Sequence, residues 1–575
     1  MGLRETLMTK KVQVDSVAEA YIELLAARGI DYFFGNGGTD FGPIVEAYAN
    51  RFVKEEMLPK PIPVPHEITA VAMSHGYTMV TGKPQVVMVH TLPGTANAVG
   101  GILNASRSNV PILFTAGRTP ITEGALPGSR DGGIHYSQES FDQGSMVREW
   151  VKWDYELRED ADLEGVVDRA LAISQSEPAG PVFLTLPREV LAAKMQEFTY
   201  SEHPRMHAAK DTVPAPGLIE EAANVLAAAK NPILIVRDAG RDPDSQKPLV
   251  NLAELISMPV FEGTSAYVNF PQSHNLHAGG TAGEHISIAD VIVVVESDAP
   301  WVQKRTPPSD DATIISIAQD PLYSKIPIRS YRADISLAGA PRLTIAALVD
   351  AIKKIGVDAV AVQERAAKWA DAHEKRIAAN NARADAGKDE SPINKAYFSR
   401  ELSKQLDENS IFVVELGADG SQFQFDTPGD SYSHSPAGGL GWALGAALGA
   451  KLASPERTVV CAVGDGSYTF GVPTAAHITS HMQNLPVLFI VWNNGIWNAV
   501  KNSAKNLNPD GVAAKTNTWA FTALDQQFHY EKICEASGGY GERVDDPAEV
   551  PAAIERALHA VKVEKRQALL NIIGS

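Results

Sequence analysis

Cysteine is nearly absent from this chain. Only Cys461 and Cys534 occur in 575 residues, at no metal-ligand spacing. A disulfide framework is excluded, and the thiols point to a reducing compartment. Cys461 lies inside an apolar run and reads as a small buried hydrophobe. Long apolar stretches are missing too: no window reaches the about 18 consecutive apolar residues of a membrane span. The amino-terminal MGLRETLMTKKVQ carries positive charge but no apolar core of signal-peptide length. Positive charge is in deficit, with 51 Lys and Arg against 69 Asp and Glu and a net charge of −18. Nucleic-acid binders draw their affinity from neutralising phosphates with Lys and Arg, so the charge argues against that class. It argues against a basic membrane-binding surface for the same reason. What remains, 44% hydrophobic and 21% charged residues, is the composition of an ordinary globular enzyme, expected in the cytoplasm.

A single hydrophobic core rarely grows past roughly 250 to 300 residues, so a chain of this length should hold several domains. Strand-like apolar runs alternate with alanine-rich amphipathic spans throughout, the pattern of α/β layers built on parallel sheets. DYFFG (31–35), QVVMVHT (85–91), VPILFTAG (110–117) and PVFLTL (181–186) open the series. A polar break near residue 200, SEHPRMHAAKDTVPAPG, precedes a second block with NPILIVRDAG, MPVFEGT, VIVVVE and ATIISIA. That block ends in a charged helical stretch, about 363–390, poor in large apolar residues and suited to crossing a surface. A third block carries IFVVELG, TVVCAVGDGS, PVLFIVWNNG and LLNIIGS. The expected architecture is three doubly wound parallel-sheet α/β domains: 11–195, a Rossmann-like central domain at 212–355, a linker at 356–392, and 393–575.

Two apolar runs of the third block each stop at small or oxygen-bearing residues. One ends in Gly464-Asp465-Gly466-Ser467, the other in Asn493-Asn494-Gly495. Ligands of open parallel sheets bind outside the carboxyl ends of the strands. Asp465 offers a carboxylate, Asn494 an amide oxygen and Ile496 a backbone carbonyl. Three hard oxygens with room for phosphate oxygens and water suit Mg²⁺. Gly464 and Gly466 let the backbone turn beside an anion, and Ser467 begins a helix whose amino end favours negative charge.

At these residues the chain resembles the thiamine diphosphate enzymes, whose GDG and NN motifs bracket a segment like 467–492. The resemblance extends over essentially the full length, as pyrimidine-binding, central and diphosphate-binding domains. It implies that Asp465, Asn494 and the Ile496 carbonyl hold Mg²⁺ against the cofactor diphosphate. It implies further that Glu67, in VPHEITAVAMSHGYTMVTGKP, exchanges a proton with N1′ of the aminopyrimidine. Read without the resemblance, Glu67 is a helix-start carboxylate stabilised by the macrodipole. In SHSPAGGLGWALGAALG, the carbonyl of Gly438 would receive the pyrimidine amino group, and Leu440 would hold the cofactor in its bent shape. The backbone at Gly417 and Ala418 would face the diphosphate. Because Glu67 and the diphosphate site come from different subunits in that family, a homodimer is the minimum and a homotetramer is expected.

The substrate side resembles the benzoylformate decarboxylases. FGNGGTDFGP is similar to their first active-site loop, with Thr39 in place of a serine, and VMVHTLPGTANAVGG places His90. NFPQSHNLHAGG places His274, with His277 as its rival. The segment HYSQESFDQGSMVREWVKW instead resembles benzaldehyde lyases and acetolactate synthases, whose glutamine falls at Gln138; His66 also belongs to that branch. A flavin-binding segment and a glycine-rich dinucleotide fingerprint have no counterpart, so FAD is not expected. The implied activity is a thiamine diphosphate- and Mg²⁺-dependent lyase that decarboxylates a 2-oxo acid, with carboligation to an aldehyde expected alongside. The alternatives are an acetolactate-synthase-like transferase or a 2-hydroxyketone lyase. A non-catalytic paralogue would be expected to lose Glu67 or the metal residues, and this chain keeps them.

Overall fold

The structure is a computed structural model, and it describes residues 8–55 and 59–575. Residues 1–7 of the stretch read for a targeting signal lie outside the described residues. Three six-stranded sheets, all parallel, follow one another along the chain. The first runs, edge to edge, Lys60–Pro63, Tyr32–Gly35, Val86–Val89, Leu113–Arg118, Val182–Pro187, Asp154–Glu156. The second runs His277–Gly279, Val260–Phe261, Pro232–Val236, Val291–Val295, Thr313–Ala318, Ile335–Ala338. The third runs Ser431–Ser433, Ser410–Glu415, Thr458–Gly464, Val487–Asn493, Ala568–Ile573, Tyr540–Val544. No described helix is long and apolar enough to cross a membrane.

Every apolar run quoted above is an interior strand, and the reason is burial on both faces. Val487–Asn493 is buried at each of its residues, which makes a continuous hydrophobic word. The six edge strands bury less and are not written that way. Lys60–Pro63, with two prolines, is tolerated because an edge strand leaves one side without ladder hydrogen bonds. A small antiparallel pair, Thr9–Gln13 with Glu197–Ser201, ties together the two ends of the first domain.

The charged stretch after the central domain folds as one 28-residue helix, Ala359–Ala386. Asp358 caps it by accepting from the backbone N–H of Val360 and Ala361, and Ala384 is its one buried residue. It runs along the surface from the second sheet to the third domain.

The contact that matters for the site is the crossing of helix Glu67–Thr81 of the first domain with helix Trp442–Ala453 of the third. Small residues let the two backbones touch. A Cβ on Gly76 would lie 2.1 Å from the carbonyl oxygen of Ala446, and one on Gly449 would lie 2.0 Å from that of Met73. Neither backbone atom can yield, so an alanine at either position would drive the helices apart. Glu67 opens one of these helices and the Gly438–Gly441 turn leads into the other. The helix pair thus fixes where each chain presents these two segments.

Candidate active site

The tips of three neighbouring strands of the third sheet, Glu415, Gly464 and Asn493, lie side by side where the sequence reading expects the diphosphate. Asp465, the first residue of helix Asp465–Phe470, is 3% exposed. Its Oδ1 accepts from Gly466 N at 2.8 Å and its Oδ2 from Gly495 N at 2.8 Å. The carboxylate therefore staples its own helix start to the turn after the next strand. Asn494 accepts from Ile496 N through Oδ1 at 3.1 Å, and the Ile496 carbonyl accepts from Asn498 N at 3.0 Å. Asn493 points elsewhere, donating to Gln526 O and Asn571 Oδ1, both at 3.1 Å. The two asparagines thus divide between structure and site.

Burial raises the pKa of Asp465 above the ordinary carboxylate value, while backbone N–H groups of Gly466, Gly495 and Asn494 pull it down. A desolvated carboxylate whose hydrogen bonds all come from neutral amides is stabilised by an added cation. An Asp oxygen, an Asn amide oxygen and a backbone carbonyl are a hard-oxygen set, so these residues fit Mg²⁺. Among the described residues no group of three or more His, Cys, Asp and Glu could hold a metal. The Asp465 set falls outside that pattern because two of its three oxygens are amide oxygens.

Gly417 lies so close to the neighbouring strand that a Cβ would stand 2.2 Å from Val463 N. Leu416, just before it, has φ 67, a left-handed backbone uncommon for a bulky residue and concentrated at ligand sites. Ala418 is half-buried beside it. Gly438 is exposed with φ 66, and Leu440 is half-buried. Ser467 is buried in the first turn after Asp465.

Glu415 has no part in the sequence reading. It ends its strand fully buried, with Oε1 accepting from Gly441 N at 2.7 Å and Oε2 from Ala443 N at 2.8 Å. Burial raises its pKa to about 7, against the pull of those amides and the Ser467 hydroxyl. It anchors the turn that follows Gly438 and Leu440. Its signal in the sequence is a carboxylate closing an otherwise apolar run, IFVVE.

On the first domain, Glu67 is 8% exposed. Asn97 donates to its Oε2 at 3.2 Å, and His66 Nδ1, which caps the same helix, lies 3.7 Å away. A Cβ on Gly94 would come within 3.3 Å of Oε1. His90 follows strand Val86–Val89. Its Nε2 lies 3.4 Å from Gln138 Nε2, and its Nδ1 lies 2.6 Å from Asp40 Oδ1. The hydrogen bond to Asp40 raises the His90 pKa; burial opposes it, and the charges of Asp40 and Glu67 add to it. Thr39 is exposed beside Asp40. The structure thus brings Thr39, His90 and Gln138 to one face, near Glu67. Asp40, which the sequence reading does not single out, joins them through its contact with His90.

The central-domain histidines separate. His274 Nε2 meets Glu254 Oε1 at 3.2 Å, and its ring packs edge-on to Phe270. His277 is 6% exposed. Its Nε2 lies 3.1 Å from Glu262 Oε2 and its Nδ1 3.1 Å from an Arg376 nitrogen. His277, not His274, lines a cavity of about 630 Å³ between the central and third domains, together with Leu416 and Ala418.

Three family models match the chain: "Thiamine pyrophosphate enzyme, N-terminal TPP binding domain" over 15–146, its central domain over 219–348, and its "C-terminal TPP binding domain" over 416–572. The chain is 26% identical to benzoylformate decarboxylase of Pseudomonas aeruginosa, across 91% of this chain and 94% of that one. It is 25% identical to acetolactate synthase isozyme 3 large subunit of Escherichia coli, across 95% and 93%. Among solved structures, benzoylformate decarboxylase from Polynucleobacter necessarius superposes with a TM-score of 0.77 at 22% identity, covering 97% of this chain and 98% of that one.

Proposed function

From the premise that this chain belongs to the thiamine pyrophosphate enzyme family, we propose that it is a Mg²⁺-dependent lyase that decarboxylates a 2-oxo acid and joins the resulting aldehyde to a second carbonyl. The observation that carries the reading is His90, an imidazole held on the Glu67 face of the first domain. Bound thiamine diphosphate supplies the electron sink for cleaving a bond beside a carbonyl. Asp465, Asn494 and the Ile496 carbonyl hold Mg²⁺, and the Gly417–Ala418 backbone takes the diphosphate. Leu440 and the Gly438 carbonyl orient the aminopyrimidine. Glu67 exchanges the N1′ proton, general acid–base work that contributes typically about 10²- to 10⁴-fold. The hydrogen bond to Asp40 raises the His90 pKa, and an imidazole can give a proton to the substrate and recover it on product release; Thr39 narrows the pocket beside it.

The polar partners of Glu67 all belong to the first domain, whereas the diphosphate end belongs to the third. A second copy of the chain completes the site, which makes a homodimer the minimum and a homotetramer the expected assembly.

A second reading, an acetolactate-synthase-like transferase or 2-hydroxyketone lyase, is favoured by the Gln138 amide beside His90. A panel of 2-oxo acids, assayed with thiamine diphosphate and Mg²⁺ with and without an acceptor aldehyde, separates the two. CO₂ release without an acceptor supports the decarboxylase. Release only with an acceptor, or cleavage of 2-hydroxyketones alone, replaces it with the second reading.

A further inference from the structure

Asp40 has no part in the chemistry assigned so far, yet it is built into the substrate face with unusual care. Its side chain is 3% exposed, and Oδ1 approaches His90 Nδ1 to 2.6 Å, a charge-assisted distance. Its other oxygen, Oδ2, is buried without a hydrogen-bond partner, a state that costs about 1–3 kcal/mol. Two glycines make room for the pair. A Cβ on Gly38 would stand 2.2 Å from the His90 ring, and a Cβ on Gly117 would stand 1.7 Å from Asp40 Oδ2. Thr91, directly after His90, has φ 40, a conformation that β-branched residues adopt only where the surroundings over-determine it. On the far side of the ring, Gln138 approaches Nε2 to 3.4 Å.

We infer that Asp40 is a positioning residue, holding the Nδ1–H of His90 so that Nε2, flanked by the Gln138 amide, faces the substrate. The inference rests on the reading that His90 works on substrate. In the step it supports, the Nε2–H bond of the imidazolium breaks as an O–H bond forms on the substrate oxygen gaining negative charge. The ring is left neutral with its proton on Nδ1, still held by Asp40. The same pairing fixes the tautomer, because a carboxylate on Nδ1 admits only the Nδ1–H form. The charged groups facing the ring are Asp40 and Glu67, with His66 beyond Glu67; Gln138 is neutral. Removing the Asp40 charge therefore lowers the proton affinity of the ring as well as releasing its orientation.

The test uses the full chain and Asp40→Asn, which keeps size and removes charge, with Asp40→Glu as the conservative variant. Carbethoxylation of His90 by diethyl pyrocarbonate, followed by peptide mass spectrometry across pH 5 to 9 without cofactor or substrate, reads the ring directly. Asp40→Asn should move the His90 midpoint to lower pH and leave that of the distant His481 in place; Asp40→Glu should restore part of the shift. With cofactor, Mg²⁺ and the best 2-oxo acid, Asp40→Asn should lose about 10²- to 10⁴-fold in kcat with KM little changed. Gly117→Ala, which presses on Asp40 from the opposite side, should act in the same direction. An unmoved His90 midpoint in folded Asp40→Asn overturns the inference. A moved midpoint with wild-type turnover upholds the hold of Asp40 on the ring and overturns the substrate role of His90 on which the reading of function depends.

Discussion

The two ends of the candidate site are built from different materials. At the proposed diphosphate end, carboxylates grip main chain: Asp465 holds the N–H of Gly466 and Gly495, and Glu415 holds those of Gly441 and Ala443. At the substrate end, side chains grip each other: Asp40 to His90, His90 to Gln138, Asn97 to Glu67. A diphosphate and its metal need the loops in fixed places, which backbone contacts provide. A reacting substrate needs groups whose charge and proton can change, which only side chains offer. The first kind of construction should fail abruptly when one residue is lost, and the second by degrees.

Asp465→Ala is the largest break. It removes both the proposed metal ligand and the staple between two strand-end turns, so turnover should fall to background. Titration calorimetry should find thiamine diphosphate binding no longer dependent on Mg²⁺, while circular dichroism stays that of the wild type. Unchanged Mg²⁺-dependent affinity would remove Asp465 from the site.

Glu67→Gln should fall next, by about 10²- to 10⁴-fold in turnover, the range of a lost acid–base group. The amide keeps the shape and the contact with Asn97 but cannot trade a proton. Cofactor binding should persist, and hydrogen–deuterium exchange at C2 of bound cofactor, read by quenched NMR, should slow. Exchange as fast as in the wild type would dismiss Glu67 from that work.

Glu415 tests whether the backbone-gripping end titrates. Its carboxyl is held at about 7, against an ordinary 4.5. The folded state keeps this proton where the unfolded chain has released it. The group's stabilisation is therefore full below about pH 4.5 and is lost as pH rises through about 7, in all on the order of 3 kcal/mol. Glu415→Gln has no such proton to lose. It should cost a hydrogen bond at every pH, yet gain on the wild type as pH climbs from 5 to 8. Thermal midpoints of the two cofactor-free proteins, measured side by side, read the trend; parallel curves would show that Glu415 ionises as an ordinary carboxyl.

The same contrast explains what could be read from the sequence. Interior strands such as Val291–Val295 and Val487–Asn493 are buried on both faces and spell continuous apolar words. All six sheet edges, from Lys60–Pro63 to Tyr540–Val544, lie outside those words because one side of each needs no hydrophobic partner. The paired strand-end turns at Gly464 and Asn493 were legible because backbone turns demand glycine and asparagine there, and composition records that demand. Asp40 was not legible, since nothing in FGNGGTDFGP tells which of its polar residues meets a histidine fifty positions away. The Gly76–Ala446 crossing was equally hidden: alanine and glycine in a helix signal small size without naming what comes close.

The smallest effect falls on the central domain, where the resemblance names one histidine and the geometry favours its neighbour. His274 is 22% exposed and its partner Glu254 is 57% exposed. A pair in that much water contributes at most about 1 kcal/mol, and its contact with Phe270 adds a similar amount. His277 is enclosed, bonded to buried Glu262 and to Arg376, and lines the cavity that reaches Leu416 and Ala418. Removing it leaves the Glu262 carboxylate short of a partner in a site with little solvent. Together these contacts are worth about 2 kcal/mol of stability, but neither faces the cavity, so His274→Ala should change turnover by less than about tenfold, about 1.4 kcal/mol of barrier, and His277→Ala should change it by more. Rapid-quench analysis of the reaction mixture would show whether either variant stalls after substrate has bound. Stalling in His274→Ala alone would mean that the loop 271–276 turns its histidine inward when substrate arrives, and the resemblance would then outrank the geometry. Stalling in His277→Ala alone would move the central domain's contribution three residues along the chain, onto a buried side chain that lines the same cavity as Leu416 and Ala418.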